Sequence, residues 1–176
     1  GITLPEGLEY INNNAFYNCK GLAGVMTIPD SVTKIDSYAF YGCSGLTQVT
    51  IPASVTTIGN GAFANCSSLA KIQVSTENGY FRSASGVLFN KAKTSLVAFP
   101  GGKQGAYELP SGVTEIGSYA FYYCAGVTSV TIPEGVTNIS SNAFYFCSNL
   151  TSVMIPSSVS EIETYAFAYC YNLTSV

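Results

Sequence analysis

Apolar residues return to the same places of a unit that repeats every 23 residues, with one 24-residue step between Cys19 and Cys43. A full unit reads Cys43-x-x-Leu46-x-x-Val49-x-Ile51-Pro52-x-x-Val55-x-x-Ile58-x-x-x-Ala62-Phe63-x-x-Cys66. Val49 and Ile51 alternate with Gln48 and Thr50, the period-2 pattern of a strand with one buried face. Pro52 has no N–H to donate, so it ends that strand and turns the chain. Val55 to Ile58 predicts a second short extended segment, and Ala62-Phe63-x-x-Cys66 has the spacing of one helical turn with Ala, Phe and Cys facing inward. Ile/Leu-Pro recurs at Leu4-Pro5, Ile28-Pro29, Ile51-Pro52, Leu109-Pro110, Ile132-Pro133 and Ile155-Pro156, each time 11 residues before the Phe of an Ala-Phe-x-x-Cys segment. No single unit buries its own apolar set. Stacked units do, because every apolar position meets its counterpart in the next coil.

The pattern therefore predicts a mainly β repeat solenoid, with short parallel strands about 4.8 Å apart and one helical turn per coil. It forms a single domain over residues 1–176: regular coils at 1–74 and 107–176, and an irregular coil with an insertion at 75–106. Within the irregular part, a hairpin-like excursion is expected around Ser83 to Lys93, and Val97-Ala98-Phe99-Pro100 reads as a resumed strand-Pro signature. At the two ends, Ile2-Thr3-Leu4-Pro5 and Leu173-Thr174-Ser175-Val176 each stop inside a coil. An excised stretch of a longer array is the expectation, with uncapped end faces prone to end-to-end self-stacking.

Leu46-x-x-Val49-x-Ile51 looks like the first half of a leucine-rich repeat. With Pro52, Val55-x-x-Ile58 and Ala62-Phe63-x-x-Cys66, the unit resembles the BspA-like leucine-rich repeats, and the irregular stretch Asn78-Gly79-Tyr80 and Gly86-Val87-Leu88-Phe89-Asn90 resembles the variant units of such proteins. The resemblance covers essentially the whole chain. It departs from common leucine-rich repeats in placing Pro52 where an Asn or Cys usually follows the strand. It implies a module of a larger secreted or cell-surface protein, acting in adhesion or interaction with a host or cell-surface protein or glycan. It brings no family-wide catalytic residues.

Composition narrows the chemistry. There is no histidine, which removes a Ser-His-Asp triad, a Cys-His dyad and any histidine metal site. No cofactor is expected. A net charge of −3 and a pI near 4.8 speak against a nucleic-acid partner, whose footprint would be basic. No apolar run approaches the roughly 18 residues of a membrane span. All seven basic residues lie at or before Lys103, so residues 104–176 carry five acids and no base.

Six cysteines invite a disulfide framework, but all hold one repeat position. Equivalent side chains of stacked coils point the same way, which predicts a column of buried free thiols. Glu115 and Glu161 share a repeat position two coils apart with Asn138 between them, the one arrangement that offers a carboxylate pair for a glycan-active enzyme. A solvated polar row is the plainer reading. The strand face carries Thr27, Thr50, Gln73, Ala98, Glu108, Thr131 and Met154, small and almost uncharged. The turn side differs: Tyr17, Tyr38 and Tyr41 stand early, and Tyr119, Tyr122, Tyr123, Tyr145, Phe146, Tyr165 and Tyr169 crowd the C-terminal half. Those rings either cover the hydrophobic turns between coils or form an aromatic ridge that meets a partner. A purely structural spacer remains the alternative to binding.

Overall fold

The computed structural model describes residues 2–176. Its coils stack as the repeat demands. In the N-terminal half, Gly24–Thr27, Leu46–Ile51 and Lys71–Val74 form a parallel sheet in which Met26, Val49 and Ile72 stand in register and face inward. A second parallel sheet joins Tyr10–Ile11, Lys34–Ile35 and Thr57–Ile58. The C-terminal half repeats the arrangement with Gly105–Glu108, Val127–Thr131 and Ser152–Met154. Its second sheet runs through Ser95–Ala98, Glu115–Ile116, Asn138–Ile139 and Glu161–Ile162. Among the described residues no helix is long and apolar enough to cross a membrane.

The predicted helical turn is a different structure. Around Phe40, the N–H groups of Ala39, Tyr41 and Cys43 donate to carbonyls three residues back. Those of Tyr38, Phe40 and Gly42 donate instead to Asn60, Ala62 and Ala64 of the next coil. Successive turns thus build a third inter-coil ladder. A residue of left-handed backbone stands two places before and two places after each repeat Phe, at Tyr38 (φ 57°) and Gly42 (φ 70°) here, and such residues halt helix propagation. The i, i+3 spacing of Ala, Phe and Cys is common to a helical turn and to consecutive β-turns, which is why the sequence pattern does not separate them.

The irregular segment is a wedge. Phe81–Ala84 and Val87–Asn90 form an antiparallel hairpin turning at Ser85-Gly86, so it opens two residues earlier than the sequence suggests. Ser95–Ala98 pairs with this hairpin on one side and with Glu115–Ile116 on the other. Alternate residues of Val87–Asn90 serve two cores: Leu88 packs into the N-terminal one, Val87 and Phe89 into the C-terminal one. Val97-Ala98-Phe99-Pro100 is not a strand-Pro signature. Phe99 takes the place of a repeat Phe, donating its N–H to Ala120 as Phe121 does to Ala143, and lying 4.6 Å from the Phe121 ring. Ala98 accordingly leaves the strand-face row, which consists of Thr27, Thr50 and Gln73 in one half and Glu108, Thr131 and Met154 in the other.

The cysteines are free, as their common direction predicts, but they are more than small hydrophobes. Each Sγ–H from Cys43 onward reaches a phenylalanine carbonyl of the preceding coil: Cys43 to Phe16 at 3.0 Å, Cys66 to Phe40 at 3.1 Å, Cys147 to Phe121 at 3.0 Å. Except at Phe99, whose coil has no Cys, that carbonyl also accepts the N–H of its own coil's Cys, so the thiol fills its second acceptor site. Burial pushes the Cys43 thiol up to about 11 and Cys66 up to about 12. The expectation of six buried thiols needs correction in the first and last of these coils, where Cys19 is exposed and Cys170 half-buried. Alkylation of the native protein at neutral pH is expected to label Cys19 readily and Cys170 slowly, with all six reacting after denaturation. Mass spectrometry that finds native disulfides, or rapid labelling of Cys66 or Cys124, would contradict the thiol–carbonyl column.

Candidate functional site: an aromatic flank on left-handed backbone

Twelve residues, two beside each repeat Phe, have φ between 56° and 70°: Asn14 and Asn18, Tyr38 and Gly42, Gly61 and Asn65, Tyr119 and Tyr123, Asn142 and Phe146, Tyr165 and Tyr169. Asn and Gly suit this conformation, whereas a residue with a bulky side chain loses about 1–2 kcal/mol in it. In the N-terminal half one of these six positions is aromatic; in the C-terminal half five are. The periodic Asn and Gly were visible in the sequence and would have marked the positions as left-handed.

The rings at and beside these positions form columns along the solenoid. Tyr122 stacks on Tyr145 at 4.9 Å, and Tyr123 on Phe146 at 4.5 Å, each pair within 8° of parallel. Tyr169 meets the edge of Tyr145 at 5.0 Å and lies 6.1 Å from Phe146, tying the two columns together. Ring faces inside each column are thus occupied by neighbours. Tyr119, Tyr122, Tyr123, Tyr145 and Phe146 are half-buried; Tyr165 and Tyr169 are exposed.

The flank is longer than its C-terminal half. Tyr17 stacks on Tyr41 at 4.7 Å, Tyr38 meets Tyr119 edge-on at 5.3 Å, and Tyr41 lies 5.8 Å from Tyr122. The last two contacts join residues about 80 positions apart because the wedge leaves this flank after Phe99. Asn65 N–H then donates directly to the Tyr122 carbonyl. The intervening coil is small here: a Cβ on Gly61 would stand 2.8 Å from the Tyr38 ring and 3.5 Å from Tyr119. Tyr17, Tyr38, Tyr41, Tyr119 and Tyr122, with Asn14, line an open groove of about 440 Å³. Desolvation, with Tyr119 beside it, pushes the Tyr38 phenol well above its usual range; desolvation also raises Tyr41 and Tyr122.

The other candidates separate. Glu115, Asn138 and Glu161 do stand in register on adjacent parallel strands. Glu115, however, lines a cleft of about 200 Å³ with Ser95 and Ser118, and Glu161 is not in it. The strand face carries a groove of about 630 Å³ past the ends of the first sheet, with Thr27, Thr50 and Gln73 along it and Asp30 and Glu77 in its lining. Asn78 is a structural residue that its sequence context did not single out. Fully buried, it donates to the carbonyls of Pro52 and Val55 and accepts from the N–H groups of Tyr80 and Phe81.

Comparison with known proteins agrees with this architecture. The chain is similar to the pneumococcal vaccine antigen PcpA (26% identity, TM-score 0.69, covering 86% of this chain and 44% of that one). It is similar to a leucine-rich repeat protein from Eubacterium ventriosum (28% identity, TM-score 0.61, 86% and 54%). It also resembles a leucine-rich cell surface protein from Faecalibacterium prausnitzii (28% identity, TM-score 0.59, 93% and 62%). The chain thus spans about half the length of these relatives. No curated protein gives a significant match. The model of the BspA-type leucine-rich repeat region matches residues 1–101 and 92–176 in six copies, so the chain belongs to the BspA-type leucine-rich-repeat family.

Proposed function

We propose that this solenoid is a non-enzymatic binding and adhesion module of a secreted or cell-surface protein, and that its aromatic flank meets a host or cell-surface protein or glycan. The observation that carries the reading is the placement of Tyr119, Tyr123, Phe146, Tyr165 and Tyr169 on left-handed backbone where other coils hold Asn or Gly. An observed backbone outlier is a fair starting point for a functional hypothesis. The energetics sharpen it. A left-handed aromatic loses about 1–2 kcal/mol of backbone energy, and a stacked ring pair returns about 0.5–1.5 kcal/mol. The ring pair's return comes in addition to its area burial, so the half-buried Tyr123 and Phe146 also help the fold; the exposed Tyr169 makes only edge and tilted ring contacts, and folding gives least reason to keep a ring there. The similar surface protein from Faecalibacterium prausnitzii supports the location.

The test is a triple variant, Tyr123→Asn, Phe146→Asn and Tyr169→Asn, on beads coated with the chain and presented to host epithelial cells. Melting temperature is expected to stay within a few degrees of wild type while adhesion drops roughly thirtyfold, the loss of one central aromatic anchor or more. A clear fall in melting temperature with adhesion intact would assign the rings to coil packing and the chain to a spacer role. Thr50→Ala and Thr131→Ala serve as controls on the strand face; loss of adhesion from these alone would move the site to the sheet.

A further inference from the structure

We infer that the groove where the two halves meet, lined by Tyr17, Tyr38, Tyr41, Tyr119 and Tyr122, holds a neutral saccharide; the inference rests on reading the aromatic flank as the binding face. Four features select that ligand class. The lining contains five phenols and one carboxamide and no charged side chain. An acidic sugar, a sulfated glycan or a charged peptide side chain therefore finds no counter-ion there. Its volume of about 440 Å³ falls in the range of small-ligand sites, whereas a protein partner needs about 800 Å² of surface on each side.

The backbone beneath the groove is already spent. Tyr41 and Tyr122 N–H donate to Tyr38 and Tyr119 within their turns, while Gly42 and Tyr123 N–H donate to Ala64 and Tyr145 of the following coils. A peptide that adds its main chain to a sheet finds no free edge here. A Pro-rich peptide docks on the ring faces of an aromatic groove, but Tyr17 and Tyr41 stack on each other and Tyr38 and Tyr119 meet face to edge, so recognition passes through hydroxyls and ring edges. A saccharide presents the complementary set, with many neutral hydroxyls and few apolar C–H faces. Desolvation raises the Tyr38, Tyr41 and Tyr122 phenols, and the hydroxyls pair, Tyr38 with Tyr119 and Tyr41 with Tyr122; in each pair the hydroxyl that donates keeps acceptor capacity and the one that accepts keeps its donor for a ligand. The groove itself exists because Gly61 leaves room: its own left-handed backbone (φ 65°) and missing side chain let Tyr38 and Tyr119 meet across the coil.

The chain has no tryptophan, so its 13 tyrosines report directly in fluorescence. Titration of the intact chain with lactose, maltose and cellobiose, followed by tyrosine fluorescence and by aromatic NMR signals, is expected to give a saturable response at the groove tyrosines for at least one of the three. Glucuronate and galactose 6-sulfate should give none. The double variant Tyr41→Phe and Tyr122→Phe keeps both rings and removes two hydroxyls. Its affinity is expected to fall roughly tenfold or more, the worth of one to two neutral hydrogen bonds. Absence of a saturable response to all three neutral sugars overturns the inference, as does a response that the double Phe variant leaves unchanged or one confined to the anionic sugars. The adhesion triple variant separates the two readings, because none of its three positions lines the groove. If that variant abolishes adhesion while neutral sugars give no response, the saccharide site fails and the adhesion face stands. If sugars bind but adhesion never depended on the rings, the groove is a saccharide site and the broader role of the flank is lost.

Discussion

Asn78→Ala is expected to destabilise the protein by about 3–5 kcal/mol, and to do so by uncoupling its two halves. The side chain is fully buried and makes four hydrogen bonds of 2.8–2.9 Å to backbone groups. Each backbone group left unpaired in the interior costs about 1–3 kcal/mol, which places the change in the severe class for a single substitution. In the regular coils a serine of the next unit does part of this work: Ser54 Oγ donates to the Val32 carbonyl and Ser158 Oγ to that of Val136. The coil after Val55 is irregular and has no such serine, so Asn78 takes over. The same residue accepts the N–H groups of Tyr80 and Phe81 and so sets the start of the hairpin whose second strand lies between the two cores. Urea unfolding should change from one transition to two, as expected when a repeat array loses a nearest-neighbour interface. Asn78→Asp keeps the acceptors but aims a carboxylate at two carbonyls, and should be at least as damaging at neutral pH. A shift below about 1 kcal/mol with a single transition would show that water replaces the amide.

Phe121→Ala is expected to be of similar size for a different reason. The ring is fully buried and sits 4.6 Å from Phe99 on one side and 4.6 Å from Phe144 on the other. Truncating a buried Phe to Ala typically costs 3–5 kcal/mol, a transfer contribution plus that of the cavity left behind. The loss of two ring pairs, about 0.5–1.5 kcal/mol each, moves this site to the upper end. Phe16→Ala removes the same residue type at the same repeat position, yet its ring is only partly buried and has one stacked neighbour, Phe40 at 5.2 Å. It should cost clearly less, about half. Equal losses at the two positions, measured from denaturant midpoints at constant slope, would mean that the column transmits no more than local packing.

Much of this was legible before any coordinates. The 23-residue period places Val49 beside Ile72 and Cys43 beside Cys66, and those neighbours follow from counting alone. The alternation in Leu46–Ile51, the stop at Pro52 and the inward Phe all appear where the pattern puts them. Three features lay outside it. Helical and turn geometry share an i, i+3 spacing, so only the hydrogen bonds to the next coil reveal that Ala-Phe-x-x-Cys is a ladder of turns. Phe99-Pro100 resembles the strand-Pro signature, with Phe in place of Ile or Leu, and only its contacts with Ala120 and Phe121 place it among the repeat phenylalanines. The candidate groove needs Tyr38 against Tyr119, a pairing with no trace in the local pattern.

The division has one physical source. A repeat makes each residue's neighbour its own counterpart one period away, so sequence spacing doubles as a map of contacts wherever the period holds. Before Ser95, where in-register pairing with Glu115–Ile116 resumes, the irregular segment has lost that period. Its contacts were settled by which apolar faces the flanking coils left uncovered: Leu88 toward one core, Val87 and Phe89 toward the other. By filling the stack on the strand sides and leaving it on the turn side after Phe99, that segment alone brought the two sets of tyrosines together.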